Sequence, residues 1–249
     1  MITAYALLSV IIVSLISLLG AFTLAIKGPR LQTMLLALVS FAVGALFGDV
    51  FIHLLPEIYD GSPSLPKSLT ILAGIVVFFV MEKFIRWRHC HIAGDDKHDH
   101  IHPMAATNLI GDGLHNFTDG ALIGATYLVS IPLGLTTTLA IALHEIPSEI
   151  GRFGVLLRSG MTGKQAVLFN FLSALTAILG TILSLAIGSH LAGYTAALVP
   201  ITAGGFIYIA GSDLIPELHH ETAVDSSILQ LLAILAGIAL MAMLVMIEV

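Results

Sequence analysis

Apolar runs long enough to cross a lipid bilayer recur eight times in this chain, separated by short breaks rich in Gly, Pro, Ser or charge. A helix needs roughly 20 apolar residues to span the hydrocarbon core. The breaks fall at Lys27-Gly28-Pro29-Arg30, Asp60 to Lys67, the His-rich stretch His89 to Pro103, Ser130-Ile131-Pro132, Arg158 to Lys164, Ser189 to Thr195 and His219 to Ser226. They predict helices near 2–26, 31–55, 68–86, 104–130, 132–157, 164–188, 196–216 and 228–247. One water-soluble core of 249 residues could not hide so much apolar surface. Only 10% of the residues are charged, against roughly 25% in a soluble domain. The expected fold is an all-α polytopic membrane protein, one transmembrane domain over residues 1–249. That excludes a soluble enzyme and a disordered chain. The ten Lys and Arg are dispersed and form no basic stripe for nucleic acid. Cys90 is the single cysteine, so neither a disulfide framework nor a four-Cys zinc site is available.

The first span has no basic segment before it, and its apolar run is longer than that of a signal peptide, so it reads as a retained helix. Basic residues set orientation. With the N-terminus outside, Lys27, Arg30, Lys83, Arg86, Arg88, Lys97, Arg152, Arg158 and Lys164 fall on the inner side and Lys67 alone outside. The expected topology is therefore N-out and C-out, with the His-rich segment 89–103 cytoplasmic. A weak internal repeat accompanies it. Residues 53–57 read HLLPE and residues 213–217 read DLIPE, an offset of 160 that also relates Gly44 to Gly204. Spans 2 and 7 would face opposite ways, the pattern of an inverted-repeat transporter. Chance similarity between two apolar helices is the alternative.

Spans 4 and 5 hold the chemistry. Span 4 carries Asp112, His115, Asn116 and Asp119, and span 5 carries His144, Glu145, Ser148 and Glu149. A carboxylate at the centre of a membrane helix costs at least ~2.5–3.5 kcal/mol, so these acids need compensation. Between Lys97 and Arg152 there is no Lys or Arg. The counter-charge is then a proton, a bound cation or a base from elsewhere. Asp112, His115 and Asp119 share one helix face, and His144 with Ser148, and Glu145 with Glu149, are spaced one turn apart. Imidazole nitrogen with carboxylate and amide oxygen suits a divalent first-row metal. Asp112 and Glu149 read as supporting or proton-accepting groups, and Asn116 as a ligand or a bridge between helices. Pro147 should kink or loosen span 5, which a membrane tolerates where the helix lines a polar cavity. Gly111, Gly113, Gly120 and Gly124 allow close helix approach.

These motifs resemble those of the ZIP (Zrt/Irt-like) metal transporters. HNFTDG at 115–120 is similar to the family's HNxxD pattern, and HEIPSE at 144–149 to the HExPHE motif of one large subfamily. The resemblance extends over the whole chain, through LLPE after span 2 and AGGFIYIAGSDLIPE in span 7. It implies metal ligands at His115, Asn116, Asp119, His144 and Glu145, with a further position at Ser148. There the sequence departs from the family, because a serine hydroxyl is a poor metal ligand. Ala177 stands where some members carry a span 6 Glu of a two-metal site. One well-formed site is expected, weaker or altered in selectivity. The resemblance also implies a homodimer that moves divalent metal toward the cytoplasm by an elevator-type alternation, spans 1, 4, 5 and 6 moving against spans 2, 3, 7 and 8. Zinc is the first expectation for the transported ion, and iron, manganese and cadmium share its donors. No catalytic cofactor and no nucleic-acid partner are expected, and the expected setting is the plasma (inner) membrane of a prokaryote.

Asp49, His53 and Glu57 lie four apart on span 2 and stand either as an inlet path or as interhelical hydrogen-bonders. Asp213 and Glu217 near the end of span 7 stand as an exit path or a solvated helix end. His89, His91, His98, His100 and His102 give the loop a metal-binding composition, or that of a soluble linker. Two rival functions remain. A proton-linked carrier of another solute would use the acids as a relay. An intramembrane zinc hydrolase would need the second His of HExxH, where this chain has Ser148.

Overall fold

The computed structural model describes residues 1–19, 29–90, 103–188, 190, 191 and 193–248. Among these residues the chain is helical, with no strand. Eight helices follow the eight predicted spans. Helix α1 is Ile2–Ile16. Helix α2 runs continuously through Pro29–Gly48, Asp49–Leu54 and Leu55–Tyr59. Helix α3 is Leu65–Cys90, α4 is Pro103–Val129 and α5 is Ile131–Arg158. Helix α6 comprises Gly163–Ala174 and Thr176–Gly188. Helix α7 joins Tyr194–Tyr208, Ile209–Leu214 and Ile215–Leu218, and α8 is Val224–Glu248. Six of them, α1, α2, α3, α6, α7 and α8, are long and apolar enough to cross a membrane. The other two, α4 and α5, have 27 and 28 residues and carry the polar cluster. The end of the first predicted span and residues 91–102 of the His-rich loop lie outside the described residues.

The breaks form where the sequence supplies caps. Ser130 is extended, accepts a hydrogen bond from the Leu133 amide at 3.2 Å, and leads into Pro132 in the first turn of α5. Thr162 and Gln165 form a reciprocal capping box at the start of α6. Helix α5 stays helical through Pro147. Pro56 and Pro216 each follow a wide π-helical turn, at Asp49–Leu54 in α2 and Ile209–Leu214 in α7. A proline lacks the amide hydrogen and crowds the carbonyl four residues back, and a wider turn gives that carbonyl room.

Two groups of helices pack side by side. Helix α4 lies along the second half of α6, and α1 and α5 join this pair. In the other group α2 pairs with α8, and α3 with α7. The pairs touch backbone to backbone. A Cβ on Gly44 would overlap the Ile234 carbonyl oxygen, and one on Gly237 that of Phe41. In the α3–α7 pair, a Cβ on Gly204 would overlap the Ile71 carbonyl oxygen, and one on Gly74 that of Ile201. The α4–α6 crossing is as close. A Cβ on Gly120 would strike the Ala177 oxygen and one on Gly180 the Phe117 oxygen, while Thr181 Oγ1 donates to Gly120 O at 2.8 Å. Leu69, Leu72, Val76 and Val80 of α3 and Leu231, Leu232 and Leu235 of α8 point outward, the apolar belt that hydrocarbon requires. Polarity goes inward: Asp49, Asp112, Asn116, Asp119, His144, Glu145 and Glu149 are all buried.

Gly180→Ala puts a methyl group onto the Phe117 carbonyl and should cost about 1–3 kcal/mol, the range for overpacking. Gly151→Ala, with nothing within 4 Å of its Cβ, should leave stability unchanged or raise it by up to about 1 kcal/mol, the helical preference of alanine over glycine. Thermal unfolding in detergent reads both. Equal melting of the two variants would contradict a tight α4–α6 crossing.

Candidate metal centre

Helices α4 and α5 face each other and bring four side chains to one point. One ligand atom each from His115, Asp119, His144 and Glu145 lies within 4.8 Å of the others. His115 Nε2 is 3.2 Å from Glu145 Oε1 and 3.6 Å from Asp119 Oδ2. His144 Nε2 is 3.3 Å from Asp119 Oδ2 and 3.6 Å from Glu145 Oε1. The two rings stand edge to face with centroids 5.6 Å apart. Asp119 and His144 are fully buried and the His115 side chain is 23% exposed.

The hydrogen-bond pattern says what this point lacks. His144 Nδ1 lies 3.2 Å from the Ala140 carbonyl oxygen, which can only accept, so Nδ1 carries a proton. In the neutral ring Nε2 then presents a lone pair to the cluster, the usual arrangement of a metal-binding histidine. Among the described residues neither Asp119 oxygen accepts a hydrogen bond, and His144 Nε2 and Glu145 Oε1 make none. A nitrogen lone pair and carboxylate oxygens at these distances repel one another unless a positive charge sits among them. Two imidazoles and two carboxylates are a donor set that suits zinc and other divalent first-row ions. With both carboxylates ionised, such an ion leaves the four-residue site electrically neutral, the arrangement a low-dielectric interior favours.

The other candidates fall around this cluster. Asn116 donates through Nδ2 to Asp112 O and Asp112 Oδ1, both at 3.1 Å. Ser148 Oγ donates to the His144 carbonyl of its own helix at 2.8 Å. Asp112 accepts from Ser173 of α6, and Glu149 accepts from Asn170 of α6, which also donates to Ser17 O at 3.2 Å. Asn170 and Ser173 escaped the sequence reading. Their signal is two polar residues three apart in an otherwise apolar run.

Of the three counter-charges left open by the sequence, a base is present in the structure. The acids of spans 4 and 5 do have a base beside them. Arg152, assigned from sequence to the inner surface, folds back along α5. Its Nε lies 2.6 Å from Asp112 Oδ1, and one terminal nitrogen lies 2.6 Å from Glu145 Oε2 and 3.5 Å from Glu149 Oε1. Side chains on a helix lean toward its N-terminus, so an Arg three residues after Glu149 and seven after Glu145 is placed to reach both.

The outlying candidates separate clearly. Thr137 of α5 donates to the buried Asp49 at 3.4 Å, and His53 Nε2 bonds to the Met241 carbonyl oxygen of α8 at 3.0 Å. Both therefore make interhelical bonds. His53 and Glu57 line a cavity of about 780 Å³ with Asp60, Lys67 and Ser130. Asp213 and Glu217 line another of about 700 Å³ at the opposite end, with Ser148 and His220. A smaller cavity of about 220 Å³ holds Asp112, His115, His144, Ser148, Arg152 and Asp213. It shares Ser148, Asp213 and Leu214 with the cavity of Glu217 and no residue with that of Glu57. The loop residues His89, His91, His98, His100 and His102 belong to the part whose side chains are not described.

Comparison with known proteins agrees with the motifs. The model of the ZIP zinc transporter family matches residues 1–106 and 88–245. The chain is 30% identical to the rat zinc transporter SLC39A7, over 98% of this chain and 72% of that protein. It is 32% identical to the Drosophila melanogaster zinc transporter ZIP13 homolog, over 88% of this chain and 80% of the relative. Against mouse zinc transporter ZIP10 it is 39% identical over 64% of this chain, which is 20% of that longer protein. These relatives are animal proteins and lend no support to a prokaryotic plasma membrane.

A ligand that binds only the folded state at a hundred times its dissociation constant stabilises by about 2.7 kcal/mol. Zinc should therefore raise the melting temperature of the purified protein. His144→Ala should lose that shift and His53→Ala should keep it. Equal zinc-induced shifts in all three proteins would remove the metal centre from this position.

Proposed function

The chain belongs to the ZIP zinc transporter family, and from that premise we propose that it carries a divalent transition-metal ion, zinc first, across the membrane toward the cytoplasm. The family's members are zinc transporters rather than enzymes, and this chain is an integral membrane protein of that kind. The ion binds between α4 and α5 on His115, Asp119, His144 and Glu145. The observation that carries this reading is the convergence of four ligand atoms, three of them from buried residues and several without a hydrogen-bond partner among the described residues, within an all-helical fold of membrane-spanning length.

An ion bound by two carboxylates and two neutral imidazoles crosses as a neutral unit, which avoids the cost of exposing charge to hydrocarbon. The site sits wholly on α4 and α5, within the group formed with α1 and α6. That group is the moving part of an elevator, and α2, α3, α7 and α8 are its frame. The frame is an inverted repeat in which α2 and α3 correspond to α7 and α8. Two features support this. The π-helical turns start at Asp49 and Ile209, the same offset of 160 as the LPE and IPE motifs. The glycine contacts also exchange partners, Gly44 with Ile234 and Gly204 with Ile71. With N-out topology, the cavity of Glu57 and Asp60 is the outer vestibule, and that of Asp213 and Glu217 leads to the cytoplasm. The protein works as a homodimer.

His115→Ala and Glu145→Ala each remove one of four donors. Each should lower radioactive zinc uptake into proteoliposomes by at least ~10–100-fold, the scale of loss from disturbing even the supporting groups of a metal site. Thr70→Ala, on the exposed face of α3, should transport as the parent does. Full uptake by well-folded His115→Ala and Glu145→Ala proteins would sink the reading. Zinc-independent uptake of another solute driven by a pH gradient would replace it with the proton-linked carrier.

A further inference from the structure

Glu145 has two oxygens, and the structure uses them differently. Oε1 faces the cluster of His115, Asp119 and His144. Oε2 faces the other way and pairs with Arg152 at 2.6 Å. The guanidinium is enclosed on that second side by three carboxylates, Asp112, Glu145 and Glu149, and only 17% of its side chain is exposed. These three acids come from α4 and α5, and Asn170 and Ser173 of α6 fix two of them from behind. Glu145 is therefore a bridging carboxylate with a cation place on each flank. One flank has the donor set of a transition metal. The other has only oxygen donors and holds a guanidinium.

We propose that Arg152 is a resident cation, fixed to the chain, that occupies the place of a second divalent ion beside the transported one and so restricts each chain to a single bound metal. The inference rests on the transport reading above and goes further than it, because the family resemblance says nothing of this arginine. Three features make Arg152 fit this task. Its charge is permanent, so the place stays filled at any physiological pH. Its guanidinium donates to Glu145 Oε2 and lies within ion-pair distance of Asp112 and Glu149, so one charge is shared by acids that a helix interior would otherwise leave facing one another. Its path is open because residue 148, one turn before it on α5, is a serine bonded to its own helix. Ser148 and Arg152 line the same small cavity as His115 and His144, so the guanidinium also stands beside the metal ligands on the side that leads to Asp213.

The test is the number of ions bound per chain, measured on purified protein saturated with zinc or cadmium, by elemental analysis after desalting and by titration calorimetry. The parent should hold one. Arg152→Gln should hold two, the second weaker. Adding Asp112→Asn to that variant should return it to one. Arg152→Lys, which keeps the charge, should also hold one. Two ions in the parent with His89, His91, His98, His100 and His102 replaced by Asn would overturn the proposal, whether or not Arg152→Gln folds. One ion of unchanged affinity in both parent and Arg152→Gln would overturn it while leaving the transport reading intact. No divalent ion in either protein would overturn both.

Discussion

Carboxylates buried together in a bilayer repel one another and are poorly solvated, and the centre of this protein is organised around that conflict. Asp112, Asp119, Glu145 and Glu149 are all buried within two adjacent helices. A single carboxylate in such a place already costs a few kcal/mol, and several together cannot remain ionised without cations among them. The chain answers in two ways. Arg152 compensates three of the acids permanently. Asp119, and the Glu145 oxygen that faces it, accept no hydrogen bond among the described residues and face two imidazole nitrogens.

The close helix crossings serve the same end. Gly120 and Gly180 bring the backbones of α4 and α6 into contact. That proximity lets Ser173 and Asn170 of α6 reach Asp112 and Glu149. The supporting hydrogen bonds to the acids thus depend on positions where only glycine fits. Removing a side chain at the crossing is a way of placing one in the site.

The helices were legible from sequence because hydropathy over about 20 residues is a local property. The four side chains that the structure gathers were legible too. His115 and Asp119 are one turn apart, and His144 and Glu145 are neighbours on the facing helix. What spacing does not fix is the direction of a side chain with a choice of partners. Asn116 and Ser148 have the positions of ligands and bond instead to Asp112 and to the backbone of α5. Asp49 and His53 bond to partners on other helices, Thr137 and Met241, which no spacing within α2 could reveal. The partners of Arg152 were hidden for a related reason. Counting Lys and Arg toward the membrane surface treats each base as solvated, whereas a base near a helix end can lean back by two turns and serve the interior.

Ser148 and Arg152 explain each other better than either explains itself. Ser148 alone looks like a damaged metal site, a position with a weak donor whose hydroxyl bonds to its own helix. Arg152 alone looks like a surface charge in an odd place. Together they form one substitution of design. A small residue at 148 leaves the helix face open, and the guanidinium one turn later extends across it to Glu145 and Asp112. The metal ligands keep their geometry because Glu145 is held at Oε2 and offers Oε1. In this arrangement Arg152 sits on the far side of a carboxylate that it shares with the cluster of His115, Asp119 and His144.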